Sequence, residues 1–310
     1  MAKNKKDLDL AESSKLNRIS GGTNAIFNII FILLALVCII PVFFVFMISV
    51  SSEESIAQNG YRFIPEVFSL DAYKFLGREI SMIVDALGVS VIVTAVGTAL
   101  GVALTTLMGY VISRRSYKLN NFFTMLVFIP MVFNGGMISS YVVNTQFMHL
   151  KDTMWALILP LCVSSFNVVI CKTFFRTNIP ESVIESAQID GATQFQIFGK
   201  IALPLSKPLL ATIALFLTFG YWNDWFQSSL YITDSSLYSL QALLDHFERN
   251  MQAMLSNPAL GVSMTEYINS MPKEGARMAM AVIIIVPIAC CYPFFQKYFI
   301  SGLTVGAVKG

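Results

Sequence analysis

Side-chain catalysis needs a nucleophile, a base or a set of metal ligands within reach of one another, and this chain is poor in all three. Its two histidines, His149 and His246, have no metal-ligand or nucleophile partner at a useful spacing. The five cysteines, Cys38, Cys162, Cys171, Cys290 and Cys291, each sit within or at the end of an apolar run and form no C-x-x-C pair. They read as packing residues. No G-x-x-x-x-G-K-[ST] loop is present to cradle a nucleotide phosphate. The expectation is a chain that performs no bond-making chemistry and holds no metal or cofactor.

The informative spacing lies in 176–207, RTNIPESVIESAQIDGATQFQIFGKIALPLSK. It reads as two short helices and a turn. Thr177 or Asn178 is placed to cap the first helix, Pro180 stands where a missing N–H costs little, and Glu181 suits the positive end of the helix dipole. Ile184, Ala187 and Gly191 share one face, small enough for close approach by another surface. Asp190-Gly191 supplies the turn, and Phe195 and Phe198 share one side of the second helix.

A second cluster, Tyr221-Trp222-Asn223-Asp224-Trp225, combines aromatic faces with amide and carboxylate groups. That is the chemistry of a carbohydrate contact, but also of an interfacial aromatic belt or a helix-end cap. Asn134-Gly135-Gly136 is another candidate. Paired glycines kink a span and expose backbone to a pathway, though they serve simple helix packing equally well.

The elements that must position these residues are membrane spans. Of 310 residues, 55% are hydrophobic and 13% charged, far from the roughly 25% charge of a soluble domain. Six stretches reach the ~20 apolar residues needed to cross ~30 Å of hydrocarbon: 25–50, 86–112, 121–141, 153–174, 208–232 and 278–299. Two long connections, 51–85 and 233–277, separate them. The first span follows Lys3, Lys5, Lys6, Lys15 and Arg18, but its apolar run is too long for a signal peptide, so a retained helix is expected.

With the N-terminus inside, fourteen of the 21 Lys and Arg residues fall on the inner side and seven on the outer. The expected fold is an all-α membrane protein of six transmembrane helices with both termini cytoplasmic: a tail at 1–24, a membrane domain at 25–299 and a tail at 300–310. The loop 176–207 is then cytoplasmic and 233–277 extracytoplasmic. The scattered basic residues exclude a nucleic-acid surface.

Glu185-Ser186-Ala187, three residues, Gly191, nine residues, and Ile201-Ala-Leu203-Pro204 resemble the EAA loop of ABC importer permeases, E-A-A, x3, G, x9, I-x-L-P. Ser186 for the middle alanine is the one departure. The resemblance implies a type I ABC importer permease fold and an ATP-driven mechanism in which this loop docks on an ATPase subunit. Glu185, Ser186, Ala187, Asp190, Gly191, Ala192, Ile201, Leu203 and Pro204 would then form the docking segment.

The end of the chain, Gly302-x3-Gly306-Ala-Val-Lys309-Gly310, is similar to that of maltose-transporter-type carbohydrate permeases, and implies an ATPase contact at Gly306 and Lys309. Leu237-Tyr-Ser-Leu-Gln and Tyr292-Pro-Phe-Phe-Gln add likeness to the oligosaccharide branch.

The implied partners are a second, homologous permease subunit, two ATPase subunits carrying ATP and Mg, an extracytoplasmic solute-binding protein, a carbohydrate cargo and the lipid bilayer of a bacterial cell. Asn134, Tyr221, Trp222, Asn223 and Asp224 are the candidates for the cargo path. A permease of this family for a non-sugar solute is the nearest alternative. An ATP-independent secondary transporter would be favoured by inverted repeats and several mid-helix charges, and the sequence shows neither. A membrane anchor without transport activity would leave the EAA spacing unexplained.

Overall fold

The computed structural model describes residues 21–255 and 271–307. Among these, every regular element is helical. Three helices are long and apolar enough to cross a membrane alone, and the number rises to six if each sharply bent pair counts as one span.

Helix α1, Gly21–Ser49, is exposed along nearly its whole length. A helix apolar on every side is stable only when lipid or another subunit surrounds it. Two short helices follow, α2 (Glu53–Asn59) and α3 (Asp71–Arg78). Helix α4, Ile80–Ser113, contains no proline and runs 34 residues, about 51 Å at 1.5 Å per residue.

Helix α4 is the axis of the bundle because one of its faces is nearly bare of side chains. A Cβ on Gly97 would meet the ring of Tyr221, one on Gly101 would lie 2.7 Å from the Cys162 carbonyl, and one on Gly109 would strike Cys171. With Thr105, fully buried between them, these glycines recur every fourth residue. Small residues at that spacing let helix backbones approach closely in a membrane, where dispersion contacts rather than water exclusion drive packing. The stripe lies within the span expected at 86–112, where its four-residue period is plain in the chain.

The third span expected at 121–141 is broken. Helix α5 (Asn120–Val132) and the helix α6 (Gly136–Val142, continued by a π turn to Phe147) meet at 119°. Gly136 has φ +82° and donates its N–H to the Asn134 side chain at 2.8 Å. A left-handed residue with a local side-chain acceptor ends a helix and redirects the chain.

The fourth span is also two pieces, α7 (Met154–Cys162) and α8 (Ser165–Asn178), bent by 46°. The fifth, expected at 208–232, is helical only as α11 (Lys207–Trp222) and a short α12 (Phe226–Tyr231) around a break at Asn223–Trp225. Between α8 and α11 lie α9 (Glu181–Ile189) and a helical segment α10, Gln194–Leu205, with a π turn at Phe198–Ala202. Helix α13 (Leu240–Leu255) and the terminal α14 (Lys273–Ala307) complete the fold.

The largest core joins α4, α7, α8 and α11 to the buried side of α9 and α10 through Tyr110, Phe175, Ile184, Ile197 and Ile213. A second core gathers α3, α13 and the first part of α14 around Leu240, Ala276 and Ala279. The bundle thus has two distinct ends. One carries α9 and α10; the opposite one carries α2, α3, α13 and Asp152.

Candidate functional site

The segment at the first end is built from two consecutive caps. Helix α9 closes in a Schellman arrangement: Ala192 N–H donates to the Ala187 carbonyl at 2.9 Å and Gly191 N–H to the Gln188 carbonyl at 3.0 Å. Gly191 has φ +81°, so the turn expected at Asp190-Gly191 forms and needs glycine. Two residues on, Thr193 opens α10 with a capping box, its hydroxyl accepting from Gln196 N–H while the Gln196 side chain accepts from Thr193 N–H.

The start of α9 differs from expectation. Thr177 and Asn178 finish α8, their side chains donating to the carbonyls of Thr173 and Phe174 at 2.9 and 3.1 Å. Pro180 takes the N-cap position, because the residue before a proline resists helical backbone and so separates α8 from α9.

The face of Ile184 and Ala187, expected to receive another surface, is turned inward. Both are buried in the chain's own core, and so is Ala202 beside Ile201. What remains outward is Glu185, Ser186, Asp190, Gly191 and two large apolar side chains, Ile189 at 86% and Phe195 at 82% exposure. Ala192, Ile201 and Leu203 are half-buried and Pro204 is exposed. Ile189 and Phe195 flank the tight turn as a protruding apolar pair on a rigid base. Their exposure could not be read from sequence, since the Phe195/Phe198 pair looked equivalent until Phe198 packed on Tyr110 at 5.0 Å.

The aromatic cluster near the fifth span does not form one surface. Tyr221 is buried and its hydroxyl donates to the Ile158 carbonyl at 2.7 Å; Trp222 is buried and its Nε1 donates to the Ile284 carbonyl at 3.1 Å. Both hold helices together, Tyr221 within the largest core and Trp222 with one side on a cavity lined by Thr98, Thr218 and Ile288. Asn223 is exposed and donates to the Phe219 carbonyl. The Asp224 carboxylate accepts from Gln227 N–H at 3.2 Å, where it caps α12.

Asn134 does border a cavity, of about 460 Å³, between the α5–α6 break and α12. Ser140, Asn144, Gln227 and Tyr231 share its wall. Asn144 donates to the Tyr231 hydroxyl at 2.8 Å, and the Tyr231 ring stacks on Tyr141 with 8° between planes. Gln227 Oε1 is enclosed with no hydrogen-bond partner. These polar groups were missed because they lie on three segments that only the broken spans bring together. Gly306 falls in the last turn of α14, and Lys309 lies outside the described residues. Among the described residues no group of His, Cys, Asp and Glu is arranged to hold a metal.

Residues 101–305 match the family of binding-protein-dependent transport system inner membrane components. The chain belongs to this family. It is a multi-pass permease component of the bacterial plasma membrane and not an enzyme. Protein LplC of Bacillus subtilis (strain 168) is 39% identical over 274 residues, covering 88% of this chain and 90% of LplC. The polygalacturonan/rhamnogalacturonan transport system permease protein YtcP of the same organism is 39% identical over 282 residues, covering 90% and 95%.

The helices superpose on a solved bacterial ABC transporter chain involved in import of the acidic polysaccharide alginate. The TM-score is 0.74 at 25% identity, over 91% of this chain and all of that one. The fold is therefore that of an ABC transporter permease. The matched region contains the whole of 176–207.

Proposed function

We propose that this permease component forms half of the translocation path of an ATP-driven importer for a carbohydrate, an oligosaccharide, and that it couples to ATPase subunits through α9 and α10. The observation that carries the coupling is the exposed Ile189/Phe195 pair on the twice-capped turn at Gly191. An apolar knob on a rigid, small-residue base is what a soluble partner's cleft needs in order to move the helices behind it. The EAA-like spacing, with Glu185, Ser186 and Asp190 around the knob, supports the same role.

In this reading six spans cross the bilayer, α5–α6 and α7–α8 each counting as one and α11 with α12 forming the fifth, and both termini and 176–207 face the cytoplasm. A second permease subunit covers the exposed apolar faces, and two ATPase subunits hold ATP and Mg while this chain holds neither. An extracytoplasmic binding protein delivers cargo to the end carrying α13, and the C-terminal Gly306 and Lys309 reach the ATPase side.

The sugar reading rests on relatives named for polygalacturonan/rhamnogalacturonan and arabinooligosaccharides and on the alginate importer. The cavity of Asn134, Asn144, Gln227 and Tyr231 supplies amides and a phenol, the usual partners of sugar hydroxyls.

The test is uptake of labelled oligogalacturonide and alginate oligomers by vesicles holding the whole complex, in native form and with Gly191→Trp. Native vesicles are expected to import at least one of them only with ATP inside, and the variant to lose both ATPase assembly and uptake. Uptake without ATP would refute the reading, and so would a Gly191→Trp complex that assembles and transports normally.

A further inference from the structure

The chain must carry a displacement of α9 to residues tens of ångströms away, and one side chain is built to do so. Arg114, the residue that ends α4, is 9% exposed. Its guanidinium forms an ion pair with Glu181 in the first turn of α9, and its Cζ lies 5.9 Å from the centre of the Tyr110 ring. Tyr110 in turn packs edge-on against Phe175 of α8 at 5.5 Å and against Phe198 of α10 at 5.0 Å. The Arg114 carbonyl accepts from Asn120 at the start of α5. One arginine thus contacts α4, α5 and α9, over an aromatic group that reaches α8 and α10.

Helix α4 then continues without proline from Ser113 through its glycine stripe to Gly97, sixteen residues or about 24 Å. There it meets Tyr221, two residues before the break at Asn223–Trp225. Further along, Ser90 accepts the N–H of Leu240 at the start of α13, at 2.8 Å. A push received at Arg114 reaches the opposite end as movement of a closely packed rod. A buried guanidinium suits the task because its planar fork fixes the angle as well as the distance of its partner.

We propose that Arg114 is the positioning residue that locks α9 to α4, so that motion of the docking segment is transmitted along α4 to the far end of the bundle. The proposal rests on the coupling role of α9 and α10. Without the ion pair the docking segment would still bind its partner, but it would turn without carrying α4.

The test uses the complete complex in nanodiscs. Four forms are compared: native, Arg114→Met, Glu181→Gln and the swap Arg114→Glu/Glu181→Arg. The quantity read is ATP hydrolysis with saturating binding protein divided by hydrolysis without it. Arg114→Met and Glu181→Gln are expected to assemble and to lose stimulation at least fivefold, and the swap to recover half or more of it.

Unchanged stimulation in both single variants overturns the proposal, as does a swap that assembles without recovery, since the arginine would then serve packing alone. If Arg114→Met fails to assemble, Glu181→Gln decides the matter by the same reading. Gly191→Trp run in parallel separates the two levels. If it abolishes assembly or stimulation while the ion-pair variants do neither, only the role of Arg114 falls. If it assembles and is stimulated normally, the docking role fails and the proposal fails with it.

Discussion

At the level of single residues, the bundle is set by what is missing from α4. Gly109 lies so close to Cys171 and to the Lys172 backbone that no side chain fits. Gly109→Val should separate α4 from α8 and cost about 1–3 kcal/mol or more, the usual range for overpacking. The expected outcome is a lower thermal midpoint in detergent and loss of the monodisperse peak, whereas Gly199→Ala, where nothing lies within 4 Å, should behave as native. Asp152 does similar work at the end opposite α9. Its carboxylate accepts from the Thr233 hydroxyl at 2.6 Å and from Asp234 N–H at 3.2 Å, which holds its pKa below the ordinary 3.8. A depressed folded pKa stabilises above the unfolded value and is lost as pH falls through the folded one. Asp152→Asn should therefore lower the midpoint at pH 7, and the gap between the two proteins should close progressively below pH 3.8.

At the level of elements, the docking segment stands on its two caps. Thr193→Ala removes the capping box and should cost about 1 kcal/mol. Because the loss is confined to α10, faster amide exchange over 193–197 should report it, with α4 exchange unchanged. Part of this segment was legible beforehand: the Asp190-Gly191 turn and two short helices, though not the role of Pro180 in separating them from what precedes. The inward and outward faces were not, because Ile184 and Ile189 are equally apolar in sequence and only the packing on Tyr110 and Phe175 tells them apart. The same limit explains the aromatic cluster of the fifth span. Tyr221 and Trp222 beside Asp224 look like a sugar platform, yet a bare glycine on α4 draws Tyr221 inward. The break at Asn134-Gly135-Gly136 was readable because left-handed backbone calls for glycine. Its 119° bend was not, since that angle depends on what α6 packs against.

At the level of the whole molecule, hydropathy and Lys/Arg placement are strong signals because a bilayer admits few arrangements of backbone. Family membership agrees with the multi-pass architecture they imply. The orientation has a direct check, on a background lacking the five native cysteines. Ile64→Cys, at 76% exposure, should react with a membrane-impermeant maleimide on intact cells, and Ile189→Cys, at 86%, only after the membrane is opened. The reverse pattern would invert the topology. The claim on which transport by this chain turns is that Ile189 and Phe195 are the surface an ATPase subunit grips. The measurement that bears on it most directly is the affinity of purified ATPase subunit for the permease pair in nanodiscs, native against Ile189→Asp/Phe195→Asp. Both side chains are exposed, so the fold should be unaffected and affinity should fall at least tenfold. Equal affinity, with the double variant correctly folded, would show that the ATPase binds elsewhere.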